Sequence, residues 1–234
     1  MTLKLGLPSK GRLMDKAFDW FGDRGCAIAL SGGAREYAAA MEGQPDVEVV
    51  LLSAGEIPRE LAAGRIHLGV TGTDMVRERI GHWQDAVAQI APLGFGQADL
   101  VIAVPQFWVD VTGLDDLDAA AAAFRAQHGH RLRIATKYHR LVREFLRAAG
   151  VADYQLVDSQ GATEGTVKNE TAEAIADITS TGETLRANHL RILDCEPILR
   201  SQATLWRARA GDWDGGAREI WQSLAGKLGL DPKR

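Results

Sequence analysis

Four hydroxyls and a glycine fall within six residues at Thr179-Ser180-Thr181-Gly182-Glu183-Thr184. Just upstream, Ala174 to Ile178 is a short apolar run with Asp177 set inside it, which reads as a buried strand carrying a carboxylate at its end. Downstream, Leu185 to Asn188 reads as helix. Strand, hydroxyl-rich turn and helix together leave backbone N–H groups unpaired at a helix start, where the dipole favours an anion. Gly182 lacks a Cβ, so an oxyanion can approach the backbone closely, and the Ser and Thr hydroxyls add donors. An ordinary Ser/Thr helix cap shares some of these ingredients. The acid and four hydroxyls in one turn point instead to a bound phosphate.

A phosphate ligand also calls for cations. Lys10 and Arg12 flank Gly11 in Pro8-Ser9-Lys10-Gly11-Arg12, after a predicted strand at Leu3–Leu7 and before a predicted amphipathic helix at Leu13–Phe21. α/β folds place ligands at such strand ends. Gly6 to Gly11 superficially resembles a P-loop but fails it, because Arg12 follows where Lys-Ser/Thr should stand. Lys137 follows a predicted strand at Leu132–Ala135, and Thr71-Gly72-Thr73-Asp74 forms a second hydroxyl-rich step from strand to helix. Asp74 there reads equally well as a carboxylate stabilised by the helix dipole. His128 and His130 have no third ligand nearby, so no metal is assigned to protein side chains. Cys26 and Cys195 lie far apart in the chain and read as reduced, structural thiols.

The run Asp177-Ile178-Thr179-Ser180-Thr181-Gly182-Glu183-Thr184-Leu185 resembles the 5-phosphoribosyl-binding signature of the ATP phosphoribosyltransferase family, with Glu164, Ala172 and Ile175 in register upstream. One position departs: the family usually has Gly six residues after that Glu, and this chain has Glu170. The resemblance implies transfer of the 5-phosphoribosyl group from phosphoribosyl pyrophosphate to N1 of the adenine of ATP, with release of pyrophosphate, the first step of histidine biosynthesis. Adenine is then the nucleophile, and Mg²⁺ is carried by the substrate. The same resemblance gives Asp177, Thr179, Ser180, Thr181, Gly182, Glu183 and Thr184 to phosphoribosyl pyrophosphate. It gives Ser9, Lys10, Gly11, Arg12, Gly72, Asp74, Lys137 and Glu164 to ATP and pyrophosphate. Arg12, Arg35 and Asp177 are its catalytic set, with Arg35 reaching the pyrophosphate.

The 234 residues suit one large or two small domains. Strand–helix alternation predicts an α/β fold with largely parallel sheets, in one series over residues 1–96 and another over 97–195. The resemblance sharpens this to the two-lobed fold of type II periplasmic binding proteins, with 196–234 returning to lobe one and the polar turns facing a cleft. Only 28 residues follow Trp206, too few for the regulatory domain of the family's long form. The short form implies a regulatory partner resembling histidyl-tRNA synthetase, in a hetero-octamer, with histidine feedback on that partner. The net charge of −4 argues against a general nucleic-acid binder. The lack of a signal peptide or of a ~18-residue apolar run predicts a cytoplasmic protein without a membrane partner. The competing reading is a non-catalytic two-lobed domain that senses a small anion; it needs one anion site, whereas two polyanionic substrates need two.

Overall fold

The computed structural model describes residues 2–30, 38–159 and 161–232. In chain order the elements are β1 (Leu3–Pro8), α1 (Gly11–Gly22), β2 (Ile28–Leu30), β3 (Ala38–Met41), β4 (Val47–Leu52), α2 (Ile57–Ala62), β5 (Leu68–Gly72), α3 (Thr73–Arg79), α4 (Trp83–Ala86), β6 (Val87–Pro92) and β7 (Ala98–Pro105). They continue with α5 (Leu114–His128), β8 (Leu132–Thr136), α6 (His139–Ala148), β9 (Tyr154–Asp158), α7 (Gly165–Lys168), β10 (Ala174–Thr179), α8 (Glu183–Ala187), β11 (Leu190–Ile192), β12 (Leu199–Ser201), β13 (Ala203–Ala208) and α9 (Gly215–Leu228).

Two compact units result, one of Met1–Gly96 with Gln202–Arg234, the other of Gln97–Ser201. The chain leaves the second unit later than residue 195, because β12 still pairs with β7 through Leu199↔Leu100 and Ser201↔Ala98. The sheet of unit one has the order β2-β3-β4-β1-β5-β13-β6. Its centre, β4-β1-β5, is parallel, while β3 and β13 run antiparallel to their neighbours. The sheet of unit two is ordered β11-β7-β10-β8-β9, with β12 on β7. There β10-β8-β9 is parallel, and β7 opposes β10, β11 and β12. Both sheets are therefore mixed rather than largely parallel. The βα alternation fixes the parallel centres, but β7 and β13 each follow a strand of the other sheet, and they pair antiparallel with the neighbours they meet.

In unit one, Leu3, Leu5 and Leu7 alternate onto the face covered by α1 and α9, where they meet Phe21, Trp221 and Leu224. The opposite face packs Ile57, Leu61, Val76 and Trp206. Gly69 lets α2 approach this face: a Cβ there would lie 2.8 Å from Ile57 Cγ2. Ser53-Ala54-Gly55-Glu56 has the residue order of a helix capping box, and it is half formed. The Glu56 carboxylate accepts from the Ser53 N–H at 2.8 Å, but the helix itself begins at Ile57, after a turn. The second unit has its own core of Val101, Ile175, Leu185 and Leu190.

Glu170, at the position where the family resemblance expects glycine, has φ +56°. A non-glycine residue pays about 1–2 kcal/mol for this left-handed backbone. Glu170→Gly should therefore stabilise the protein by about 0.5 kcal/mol after the added freedom of the unfolded glycine is subtracted, read as a raised denaturant midpoint. Arg133 braces this loop, donating from Nη2 to the Glu170 carbonyl at 3.0 Å and pairing with Glu173 at 2.5 Å. Burial alone would push the Glu173 carboxyl up. Hydrogen bonds from the Arg133 side chain and N–H, together with the guanidinium charge, outweigh it and hold the group below its ordinary value. A depressed carboxyl stabilises the fold above its unfolded pKa and loses that contribution as pH falls through its folded value. Glu173→Gln should cost about 1–3 kcal/mol at neutral pH and flatten the acid limb of the stability–pH curve below pH ~4.5.

Candidate active site

The hydroxyl-rich turn begins where β10 ends. Gly182 caps α8 with φ +70°, a left-handed backbone that favours glycine; the nearest atom to a Cβ there would be the movable end of Arg186, at 2.9 Å. The four hydroxyls divide by role. Thr179 Oγ1 accepts from the Gly182 N–H at 2.9 Å, and Thr181 Oγ1 accepts from the Glu183 N–H at 3.3 Å. Each therefore keeps its own proton to donate. Ser180 donates to the Gln97 carbonyl at 2.9 Å, so its proton is spent on holding the turn to the start of β7. Thr184 lines the cavity in front of the turn. The N–H groups of Thr181 and Thr184 have no acceptor among the described residues. Glu183 is exposed in the first turn of α8.

That cavity encloses about 250 Å³ and is lined by Glu164, Asp177, Thr179, Ser180, Thr181 and Thr184. Asp177 accepts from the Ile178 N–H at 2.8 Å and from Lys137 Nζ at 3.3 Å. Its side chain is 14% exposed and that of Lys137 34%. Lys137 lies 5.2 Å above the ring of Tyr138, itself fully buried, whose N–H donates to Thr136 Oγ1 at 2.9 Å. The loop that carries Glu164 is pinned by two hydroxyls: Ser159 donates to Thr163 Oγ1 at 3.1 Å, and Thr163 donates to the Gly161 carbonyl at 3.0 Å. Lys137 and Glu164, expected on the nucleotide side, thus stand with Asp177 in unit two.

In unit one, Lys10 caps α1 in extended conformation, with Gly11 and Arg12 opening the helix. Lys10, Gly11 and Arg12 are exposed and Ser9 is half-buried, its N–H donating to the Leu52 carbonyl at 2.8 Å. Gly72 caps α3 directly from the end of β5, without a separate turn. The flanking hydroxyls are used within the fold: Thr71 donates to the Ala54 carbonyl at 3.2 Å and Thr73 to the Gln202 carbonyl at 3.4 Å. Asp74 is 6% exposed in the first turn of α3. Arg35 lies outside the described residues. His128 and His130 both stack on Phe124, with ring centroids 4.3 and 5.2 Å away, so they form an aromatic cluster. Among the described residues no three His, Cys, Asp or Glu side chains are grouped to hold a metal.

Sequence reasoning passed over Arg186, Thr163 and Tyr138. Arg186 sits one turn beyond Gly182 and was legible only as a helix cation. The hydroxyls of Ser159 and Thr163 are close in sequence and signalled a tight loop. Tyr138 beside Lys137 carried no signal of burial.

These features define an α/β protein of two units with a hydroxyl-rich turn at a strand–helix junction and a lysine-paired carboxylate beside it. A family model described as HisG: ATP phosphoribosyltransferase matches residues 53–228. An ATP phosphoribosyltransferase of Cereibacter sphaeroides is 69% identical over 230 residues, covering 98% of this chain and 97% of that protein. Among solved structures, the ATP phosphoribosyl transferase (HisG:HisZ) complex from Thermotoga maritima aligns with TM-score 0.73 at 22% identity, over 97% of both chains. A mutant ArgBP from T. maritima aligns with TM-score 0.53 at 14% identity, over 97% of this chain and 89% of that one. The fold is thus shared with periplasmic-type binding proteins and does not by itself separate enzyme from sensor.

The chain belongs to the ATP phosphoribosyltransferase family, HisG. Its reaction is transfer of the 5-phosphoribosyl group of phosphoribosyl pyrophosphate to N1 of the adenine of ATP, the first step of histidine biosynthesis.

Proposed function

We propose that the turn from Asp177 to Thr184 receives phosphoribosyl pyrophosphate, and that Ser9–Arg12 with Gly72 and Asp74 receive ATP. The observation that carries this reading is Asp177, which lines the same cavity as the hydroxyl turn and pairs with Lys137 at 3.3 Å. The free N–H groups of Thr181 and Thr184 and the hydroxyls of Thr179, Thr181 and Thr184 surround the 5-phosphate as donors. Asp177 accepts from the ribose hydroxyls and faces the positive charge that develops on the sugar. The N1 lone pair of adenine forms the bond to the anomeric carbon while the bond from that carbon to the pyrophosphate oxygen breaks, its electron pair leaving with pyrophosphate. Lys137, Arg12 and Arg35 balance the charge of the leaving group, and orientation supplies much of the rate. Mg²⁺ carried by the substrate would supply neutralisation of the pyrophosphate, and Glu164 and Asp177 are the carboxylates of this cavity that would hold it.

The chain works in this reading with a regulatory partner like the HisZ named with the T. maritima protein, in a hetero-octamer in the cytoplasm. No helix among the described residues is long and apolar enough to cross a membrane. The test is formation of phosphoribosyl-ATP and pyrophosphate by the purified chain with ATP, phosphoribosyl pyrophosphate and Mg²⁺, alone and with a HisZ-like chain. Product that requires both substrates and rises with the added chain is expected. Absence of product in the presence of that chain would leave the anion-sensor reading.

A further inference from the structure

A cavity of about 580 Å³ in unit one is lined by none of the residues assigned above. Arg207 and Arg209 from the end of β13 and Arg218 from α9 line it, with Trp213, Trp221 and, among the described lining residues, one carboxylate, Asp212. Its place follows from strand register. Ala203 pairs with Gly72, at the nucleotide-side step, whereas Arg207 pairs with Leu68, four residues back, about 13 Å along the sheet. The cavity thus opens at the opposite end of these strands from Gly72 and Asp74.

The site is rigidly built. Gly64 and Gly211 meet backbone to backbone: a Cβ on Gly64 would stand 2.5 Å from the Gly211 nitrogen. His67 Nδ1 accepts from the Lys4 N–H at 2.9 Å, so Nε2 carries the proton and donates to the Asp212 carbonyl at 3.2 Å. The His67 ring also meets Trp213 edge to face at 5.0 Å. Arg207 is half-buried, its guanidinium 5.8 Å from the centroid of the Trp213 ring, with one long bond to the Pro232 carbonyl at 3.4 Å. Arg209 uses Nε on the Gln84 carbonyl at 2.8 Å. None of the three arginines forms an ion pair among the described residues. Burial, and then the charge of Arg209, push the Arg207 guanidinium below its ordinary value. Arg207 is the half-buried member of the cluster, Arg209 and Arg218 being exposed, and an anion between them would offset the cost of holding its charge partly out of water.

We propose that this cavity is a second anion site, selective for a multiply charged phosphate oxyanion of the pyrophosphate type, and separate from the substrate loops. The guanidinium forks match such an oxyanion in geometry, and fixing Arg207 over Trp213 before binding reduces the entropy lost per bond.

The whole chain, with ¹⁵N-labelled tryptophan, is titrated with inorganic pyrophosphate while the indole N–H signals of Trp213 and Trp221 are followed, assigned with Trp213→Phe and Trp221→Phe. Both indoles donate to backbone beside the cavity, to the Ala208 and Pro232 carbonyls at 2.9 Å. Both signals should move together and saturate, and inorganic phosphate should need at least about tenfold more. Arg218→Gln, an exposed substitution that leaves the core intact, should raise the half-saturating pyrophosphate concentration about tenfold, with turnover unchanged. Arg207→Met with Arg218→Gln should abolish the shifts. Indole signals that stay still at millimolar pyrophosphate, or shifts undiminished in Arg218→Gln, would overturn the proposal. Neither outcome bears on the Asp177–Thr184 loop.

Discussion

Asp177→Asn should lower kcat by about 10²–10³-fold while the protein folds as before. The amide keeps an oxygen that can accept the 2.8 Å bond from the Ile178 N–H, so β10 and its turn retain their geometry. What is lost is the negative charge. Lys137 then faces a neutral group across 3.3 Å, and the ribose hydroxyls and the developing sugar cation lose their acceptor. The loss should appear in kcat and in kcat/KM for phosphoribosyl pyrophosphate, with KM for ATP changed little, because the charge matters most in the transition state. Lys137→Met combined with Asp177→Asn should cost less than the sum of the two single losses, since the pair acts as a unit. Near-normal turnover in Asp177→Asn would sink the catalytic assignment and leave Asp177 as a strand-end acceptor.

Trp206→Ala should be the most destabilising single change in unit one, at about 3–5 kcal/mol. Trp206 is fully buried among Ile57, Leu61, Val76 and Val87, and it meets Trp83 edge to face at 5.6 Å. Truncation leaves a cavity that the sheet on one side and α2 on the other cannot close. The melting temperature should fall by about 10 °C for a chain of this size. Trp206→Phe refills most of the space but removes the indole N–H that donates to the Thr71 carbonyl at 3.3 Å, which should cost about 1–2 kcal/mol. Thr71 precedes Gly72 and Asp74, so this milder variant also tests the nucleotide side. KM for ATP should rise severalfold while KM for phosphoribosyl pyrophosphate holds. Equal changes in both would remove Gly72 and Asp74 from the ATP site.

The sequence by itself determined the family and the make-up of the hydroxyl turn. Both are local: acid, hydroxyls, glycine and helix start lie within about a dozen residues, and their order along the chain is their order in space. The parallel strand centres were legible for the same reason, because a strand followed by a helix and another strand has one favoured hand and direction. The tertiary structure decided three things. It set β7 and β13 antiparallel, since each follows, after a short connection, a strand of the other sheet, so its direction depends on which neighbours it meets. It decided which hydroxyls hold the fold, spending Ser180 on Gln97 and Thr73 on Gln202, contacts 83 and 129 residues apart. It also joined Lys137 to Asp177 and gathered Arg207 and Arg209 with Arg218, because pairing between side chains from different elements is fixed by sheet register and packing, which no local pattern encodes.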